Sequence, residues 1–186
     1  MDFALLDAIQ DCWRNPFLDA VMPFVTHLGD LAIVWFIAAA VLLMQPKRRT
    51  YGLAVVIAVI GAAAIGAFLL KPLFARVRPY EVAGFMDLLI PAPMGSSFPS
   101  NHSMVSFAAA TALCCLPEKG RAITAVKIAA VVTACLIAFS RLYLYVHFPS
   151  DIAVGAVLGI AFGFASVALA KRLRPPVTGD GAKPPL

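Results

Sequence analysis

Five apolar runs, at 31–44, 51–70, 104–116, 122–139 and 152–170, carry almost no charge, and short polar segments separate them. None alternates with the period of a half-buried strand, so length decides between helix and strand. A bilayer core of about 30 Å takes about 20 helical residues. The second, fourth and fifth runs meet that length as they stand. The first needs extension back toward His27, and the third back to Pro99, the residue type suited to a first helical position. In the fifth run, Gly155, Gly159 and Gly163 recur every four residues. Such a ridge of small residues lets helix backbones pack closely in lipid. The pattern predicts an all-α fold, a polytopic membrane helix bundle of about five to six transmembrane helices.

The ends read differently. Residues 1–27 form an N-terminal interfacial or short helical segment: Phe3, Leu6, Ile9 and Trp13 make an apolar face, and Arg14-Asn15-Pro16 breaks it before a second helical piece. Residues 28–173 hold the five apolar runs and are expected to form the transmembrane domain. Residues 174–186, with four prolines and two glycines, are expected to be a disordered tail. The N-terminus is acidic at Asp2, Asp7 and Asp11 and lacks the basic start of a secretory signal. Cys12, Cys114, Cys115 and Cys135 have no metal-ligand spacing.

Composition sharpens the class. Of 186 residues, 61% are hydrophobic and 13% charged, against roughly 45–50% and 25% in a soluble domain. The net charge of +5 does not point to nucleic acid, because the basic residues sit between apolar runs rather than in one stripe. They sort instead by side. Five spans place the loop 45–50, the loop 117–121 and the C-terminal tail together with ten Lys and Arg, against five on the opposite side. Positive charge marks the cytoplasmic side.

The opposite, outer face then collects polar residues that packing in lipid does not need. Lys71 and Arg78 are seven apart, two helical turns, and with Arg141 they make a cationic cluster suited to a phosphate. Pro99-Ser100-Asn101-His102 opens the third apolar run, so free N–H groups of Ser100, Asn101 and His102 are expected to face an anion, with the Ser100 hydroxyl as a further donor. His147 and Asp151 are four apart, one turn if helical, so the carboxylate can orient an imidazole that acts as base or nucleophile. His102 is a second histidine able to protonate a leaving group. One Asp and two His among several cations would repel Mg²⁺ or Zn²⁺, so no metal and no cofactor are expected. Arg76 falls outside this pattern and reads as a helix-end cation, and His27 has no evident partner. The long loop 79–98, with Phe85, Met86, Leu88, Leu89 and Ile90, reads as a cover or lipid guide at headgroup level.

At these residues the chain resembles the type 2 phosphatidic acid phosphatase (PAP2) superfamily, whose signature is K-x₆-R-P, then P-S-G-H, then S-R-x₅-H-x₃-D. Lys71 through Arg78-Pro79 matches the first part, and Ser140-Arg141 through His147 and Asp151 the third. Pro99-Ser100-Asn101-His102 matches the second, with Asn101 where the family usually has Gly. The resemblance implies that His147 attacks phosphorus and forms a phosphohistidine, that Asp151 orients it, and that His102 protonates the leaving oxygen. It implies that Lys71, Arg78, Ser100, Asn101 and Arg141 bind the phosphoryl group, without a metal. The expected partners are a membrane lipid phosphate and the bilayer. The small chain is similar to bacterial members that hydrolyse undecaprenyl pyrophosphate at the outer face of the cell (inner) membrane. Phosphatidylglycerophosphate, phosphatidate and lipid A phosphates are the near alternatives, and a lipid phosphotransferase would use the same histidine. A phosphate-lipid transporter or scramblase would need the cations but has no use for two such histidines.

Overall fold

The computed structural model describes residues 2–174, and the tail expected at 174–186 lies, beyond Arg174, outside the described residues. Nine α-helices, three short 3₁₀ or π turns and no strand occur among the described residues: α1 (Asp2–Trp13), α2 (Pro16–His27), α3 (Ile33–Leu43), α4 (Arg49–Ile65), α5 (Lys71–Phe74), α6 (Pro79–Ala83), α7 (Asn101–Cys114), α8 (Arg121–Tyr143) and α9 (Pro149–Leu173). Local chemistry sets several starts. The Asn15 side chain accepts the Leu18 N–H at 3.0 Å, and Pro16 takes the first helical position of α2. Pro149 does the same for α9, where the Asp151 carboxylate accepts the Phe148 N–H at 2.9 Å.

Three stretches are long and apolar enough to cross a membrane: Pro46–Ala83, Arg121–Tyr143 and Pro149–Leu173. The pair Pro16–His27 and Asp30–Leu43, bent by 56°, makes a fourth when counted as one broken span. The first apolar run therefore does extend back through His27, but across a sharp break. Leu31 and Ala32 there take left-handed backbone, with φ of 51° and 56°. The third run differs from expectation. α7 has 14 residues, starts at Asn101 rather than Pro99, and is buried on nearly every face. Ser100 serves as its N-cap, which places Pro99 outside the helix. A helix wrapped by protein need not match the bilayer thickness, because its neighbours and not lipid solvate it.

α7 is the hub, packed between α9, α4 and α8. The glycine ridge of α9 makes this possible. A Cβ at Gly159 would collide with the Met104 carbonyl, and one at Gly163 would lie 2.5 Å from Thr111 Cβ. Met104, Ala108 and Ala112 are fully buried beneath it, while Phe17, Phe68 and Val157 face outward, as a lipid-facing surface requires. At one end Arg48 reaches Glu118 at 2.7 Å and the Thr50 hydroxyl donates to the Arg174 carbonyl at 2.9 Å. The two basic loops and the end of α9 thus share a side. The three motif segments meet at the other end.

The loop after α6 folds inward more than expected. Leu88, Leu89 and Ile90 pack with Ile9, Met22, Tyr143 and Val146, and Phe85 stacks on Tyr145 at 4.7 Å. Met86 alone of the five named apolar residues is fully outward, at 92% exposure. The gap between α1, α2 and the α8–α9 turn needs filling, and these side chains fill it.

Candidate active site

The turn between α8 and α9 presents His147, and the first turn of α9 presents Asp151. Both are buried. His147 Nδ1 lies 3.4 Å from Asp151 Oδ2, longer than a standard hydrogen bond. Ser97 stands between them: its hydroxyl donates to Asp151 Oδ2 and lies 3.4 Å from His147 Nδ1. The other ring nitrogen, Nε2, is 3.5 Å from Arg78 Nη1. The imidazole is thus anchored on its Nδ1 side and turns Nε2 toward the cations. Burial holds its pKa well below the ordinary histidine value. The Asp151 hydrogen bond opposes this, and the charges of Arg141 and Arg78 add to it. His147 is therefore neutral at neutral pH, with a lone pair to offer.

The cations are fixed by oxygen atoms that are not anionic. Arg78 donates to the carbonyls of Gly95 at 2.9 Å, Val146 at 3.0 Å and Met94 at 3.3 Å. Arg141 Nη1 donates to the Thr26 hydroxyl at 2.6 Å, and its buried Nε has no partner. Lys71 makes no side-chain hydrogen bond among the described residues, and Arg78 and Arg141 act on it electrostatically. Three cations that repel one another and lack a carboxylate partner form an anion site. Lys71 and Arg78 line a chamber of about 570 Å³ with Arg76 and Ser96.

The start of α7 departs from expectation in two ways. The Ser100 N–H is already used, donating to the Asp151 carbonyl at 3.2 Å, and its Oγ accepts the Ser103 N–H at 3.5 Å. The Ser100 backbone N–H and the accepting side of its Oγ are thus used in docking α7 on α9 and capping it, while its hydroxyl hydrogen and the N–H groups of Asn101 and His102 are left for an anion. The Asn101 side chain turns to α4, donating to the Ala63 carbonyl at 3.4 Å and lying directly over Gly66. Its buried Oδ1 has no partner.

Arg76, Ser97 and Asp30 escape the sequence reading. Arg76, set aside there as a helix-end cation, donates to Asp151 Oδ1 at 2.6 Å, to Ser150 Oγ at 2.7 Å and to Asp2 Oδ2 at 2.9 Å. Asp151 is therefore shared, one oxygen to Arg76 and the other to Ser97, the Phe148 N–H and His147. Ser97 is an isolated loop serine, and nothing in its spacing marks it. For Arg76 the only signal is its place two residues before Arg78 in a non-helical stretch. His102 Nε2 pairs with Asp30 Oδ1 at 3.0 Å, and Asp30 Oδ2 with His27 at 2.6 Å, so His27 has a partner after all. Among the described residues no three His, Cys, Asp or Glu converge as a metal site. An apolar groove of about 490 Å³ is lined by Leu31, Phe36, Val59, Ile60 and Phe68 among others, together with the polar Asn101 and His102.

The PAP2 superfamily model matches residues 50–175, about two thirds of the chain. The chain belongs to the PAP2 superfamily. An undecaprenyl-diphosphatase of Sulfolobus acidocaldarius is 32% identical over 151 residues, covering 81% of this chain and 69% of that protein. A decaprenylphosphoryl-5-phosphoribose phosphatase of Mycobacterium tuberculosis is 34% identical over 164 residues, covering 87% and 86%. The solved PAP2-type phosphatidylglycerolphosphate phosphatase of Bacillus subtilis superposes with a TM-score of 0.74 at 28% identity, covering 94% of this chain and 86% of that one. With its apolar helices, the chain is a membrane PAP2 phosphatase, a hydrolase acting on phosphate esters. Among PAP2 phosphatases the expected all-α bundle is the shared architecture, and the present helices reproduce it.

Proposed function

We propose that this PAP2 phosphatase hydrolyses a polyprenyl phosphate, specifically undecaprenyl pyrophosphate to undecaprenyl phosphate and inorganic phosphate, without a metal. The observation that carries the chemistry is the buried neutral His147 with Nε2 facing Arg78 beside two further cations. In this mechanism Nε2 attacks the terminal phosphorus while Arg78, Arg141, Lys71 and the free N–H groups of Asn101 and His102 hold the phosphoryl oxygens. Charge that builds on the imidazole is balanced by Asp151. His102 gives its proton to the leaving oxygen, then takes one from the water that cleaves the phosphohistidine.

The apolar groove that His102 helps to line supports a single long hydrocarbon chain, such as a polyprenyl chain, as the lipid, and both relatives described above are named for polyprenyl-linked phosphates. The charge bias of the loops supports a site on the extracytoplasmic face of a bacterial inner membrane. The test is phosphate release by purified protein in EDTA, from undecaprenyl pyrophosphate beside phosphatidylglycerophosphate, phosphatidate and lipid A. The expected result is the highest kcat/KM on the polyprenyl substrate and no activity in His147→Ala. Faster turnover of a glycerolipid or of lipid A overturns the substrate, and loss of activity in EDTA restored by Mg²⁺ overturns the mechanism.

A further inference from the structure

The break between α2 and α3 has a geometry that a plain connector does not need. Two consecutive non-glycine residues, Leu31 and Ala32, adopt left-handed backbone, which L-residues take only against a steric penalty. Just before them Asp30 bridges two histidines, with Oδ1 at 3.0 Å from His102 Nε2 and Oδ2 at 2.6 Å from His27 Nδ1. Gly29 lies against the same edge of the His102 ring, since a Cβ there would be 2.7 Å from Cδ2. The Cδ2–Nε2 edge therefore faces the break, and the Nδ1 edge faces the opposite way. His27, Asp30, His102 and Arg141 line a single pocket of about 250 Å³. An imidazole held at Nε2 by a carboxylate keeps its hydrogen there, which leaves Nδ1 to give and take the working proton.

We propose that Asp30, steadied by His27, is a positioning residue that holds His102 in the Nε2–H tautomer and stabilises its imidazolium. This rests on the reading of His102 as the leaving-group acid. In the first step the P–O bond to the leaving group breaks, a P–N bond forms at His147, and the Nδ1 proton of His102 passes to the leaving oxygen. In the second, the water oxygen bonds to phosphorus, the P–N bond breaks, and a water proton returns to Nδ1. Asp30 touches neither reacting atom. The charged groups facing His102 are Asp30 from the break, Arg141 from α8 and Lys71 from the start of α5, with His27 of α2 behind Asp30.

The test compares Asp30→Asn, His102→Ala and the double variant on dioctanoyl phosphatidate, whose alkoxide leaves poorly, and on p-nitrophenyl phosphate, whose phenolate leaves well. Asp30→Asn is expected to lose about 10- to 100-fold in kcat/KM on phosphatidate and less than about 3-fold on the aryl ester, within the roughly 10²–10⁴-fold that a general acid contributes. The basic limb of its phosphatidate pH profile is expected to move down by about one unit, because the charge that favours the imidazolium is gone. The double variant is expected to match His102→Ala. If His102→Ala loses equally on both substrates, the acid assignment falls and this inference with it. If His102→Ala discriminates between the substrates and Asp30→Asn neither discriminates nor moves the limb, the positioning role alone is overturned. Should Asp30→Asn not fold, His27→Gln carries the test. A several-fold loss on phosphatidate alone supports the inference, and unchanged rates on both substrates overturn it.

Discussion

Arg76 offers the sharpest test of how the site is tuned. It is one-third exposed, at 33%, yet its Nη1 lies 2.6 Å from an Asp151 oxygen that is fully buried. The carboxylate is therefore divided between two cationic claims, the guanidinium and any positive charge that develops on His147. Replacing Arg76 with Gln removes the permanent claim. A hydrogen bond to a charged group contributes about 1.5–3 kcal/mol, and the lower figure applies where water can take over part of the role. One pKa unit corresponds to about 1.4 kcal/mol, so releasing Asp151 strengthens its pull on His147 by about one unit. The sign follows directly. Hydrolysis needs neutral His147, and burial sets its titration below the ordinary histidine range, so the acid limb of kcat/KM in the native enzyme lies below that range. In Arg76→Gln the imidazolium is favoured and the limb moves up by about one unit, toward neutral pH. The assay is kcat/KM on p-nitrophenyl phosphate in detergent micelles between pH 4 and 9, with Arg76→Lys as the charge-retaining control. An acid limb that stays in place, or moves down, in a folded Arg76→Gln protein would refute the reasoning and return Arg76 to the role of a helix-end cation.

Further outcomes follow from the same geometry. His147→Ala is expected to abolish hydrolysis of every substrate and to prevent trapping of labelled phosphoenzyme at alkaline pH; label retained on the variant excludes Nε2 as nucleophile. Gly159→Ala drives a Cβ into the Met104 carbonyl and should destabilise the α7–α9 pair by about 1–3 kcal/mol, read as a lowered melting temperature in detergent, whereas the exposed Val157→Ala should change little. In a cysteine-free background, an impermeant thiol reagent applied to intact cells should label Gly84→Cys and spare Thr178→Cys, and the reverse pattern inverts the topology.

Much of this architecture is legible in the chain before any coordinates. The apolar runs, the glycine spacing of α9 and the sorting of basic residues between loops are properties of single segments, and each acts through the local contrast of lipid, water and backbone. The three motifs are legible as spacings within short stretches, but the two helical turns expected between Lys71 and Arg78 do not form: α5 ends at Phe74, Ala75 takes left-handed backbone with φ of 43°, and residues 75–78 are non-helical. What tertiary structure alone decides is how the groups are partnered. Arg76 meets Asp151 from 75 residues away, Ser97 from 54, and Asp30 meets His102 from 72. No local period encodes those separations. They result from helices crossing at angles set by close contacts such as Gly159 on Met104 and by the 56° break after His27. The same packing makes α7 a 14-residue helix buried among its neighbours and commits the Ser100 N–H to Asp151 instead of to an anion. A hydrogen bond depends on tenths of an ångström between groups on different helices, and that precision exists only once the bundle has packed.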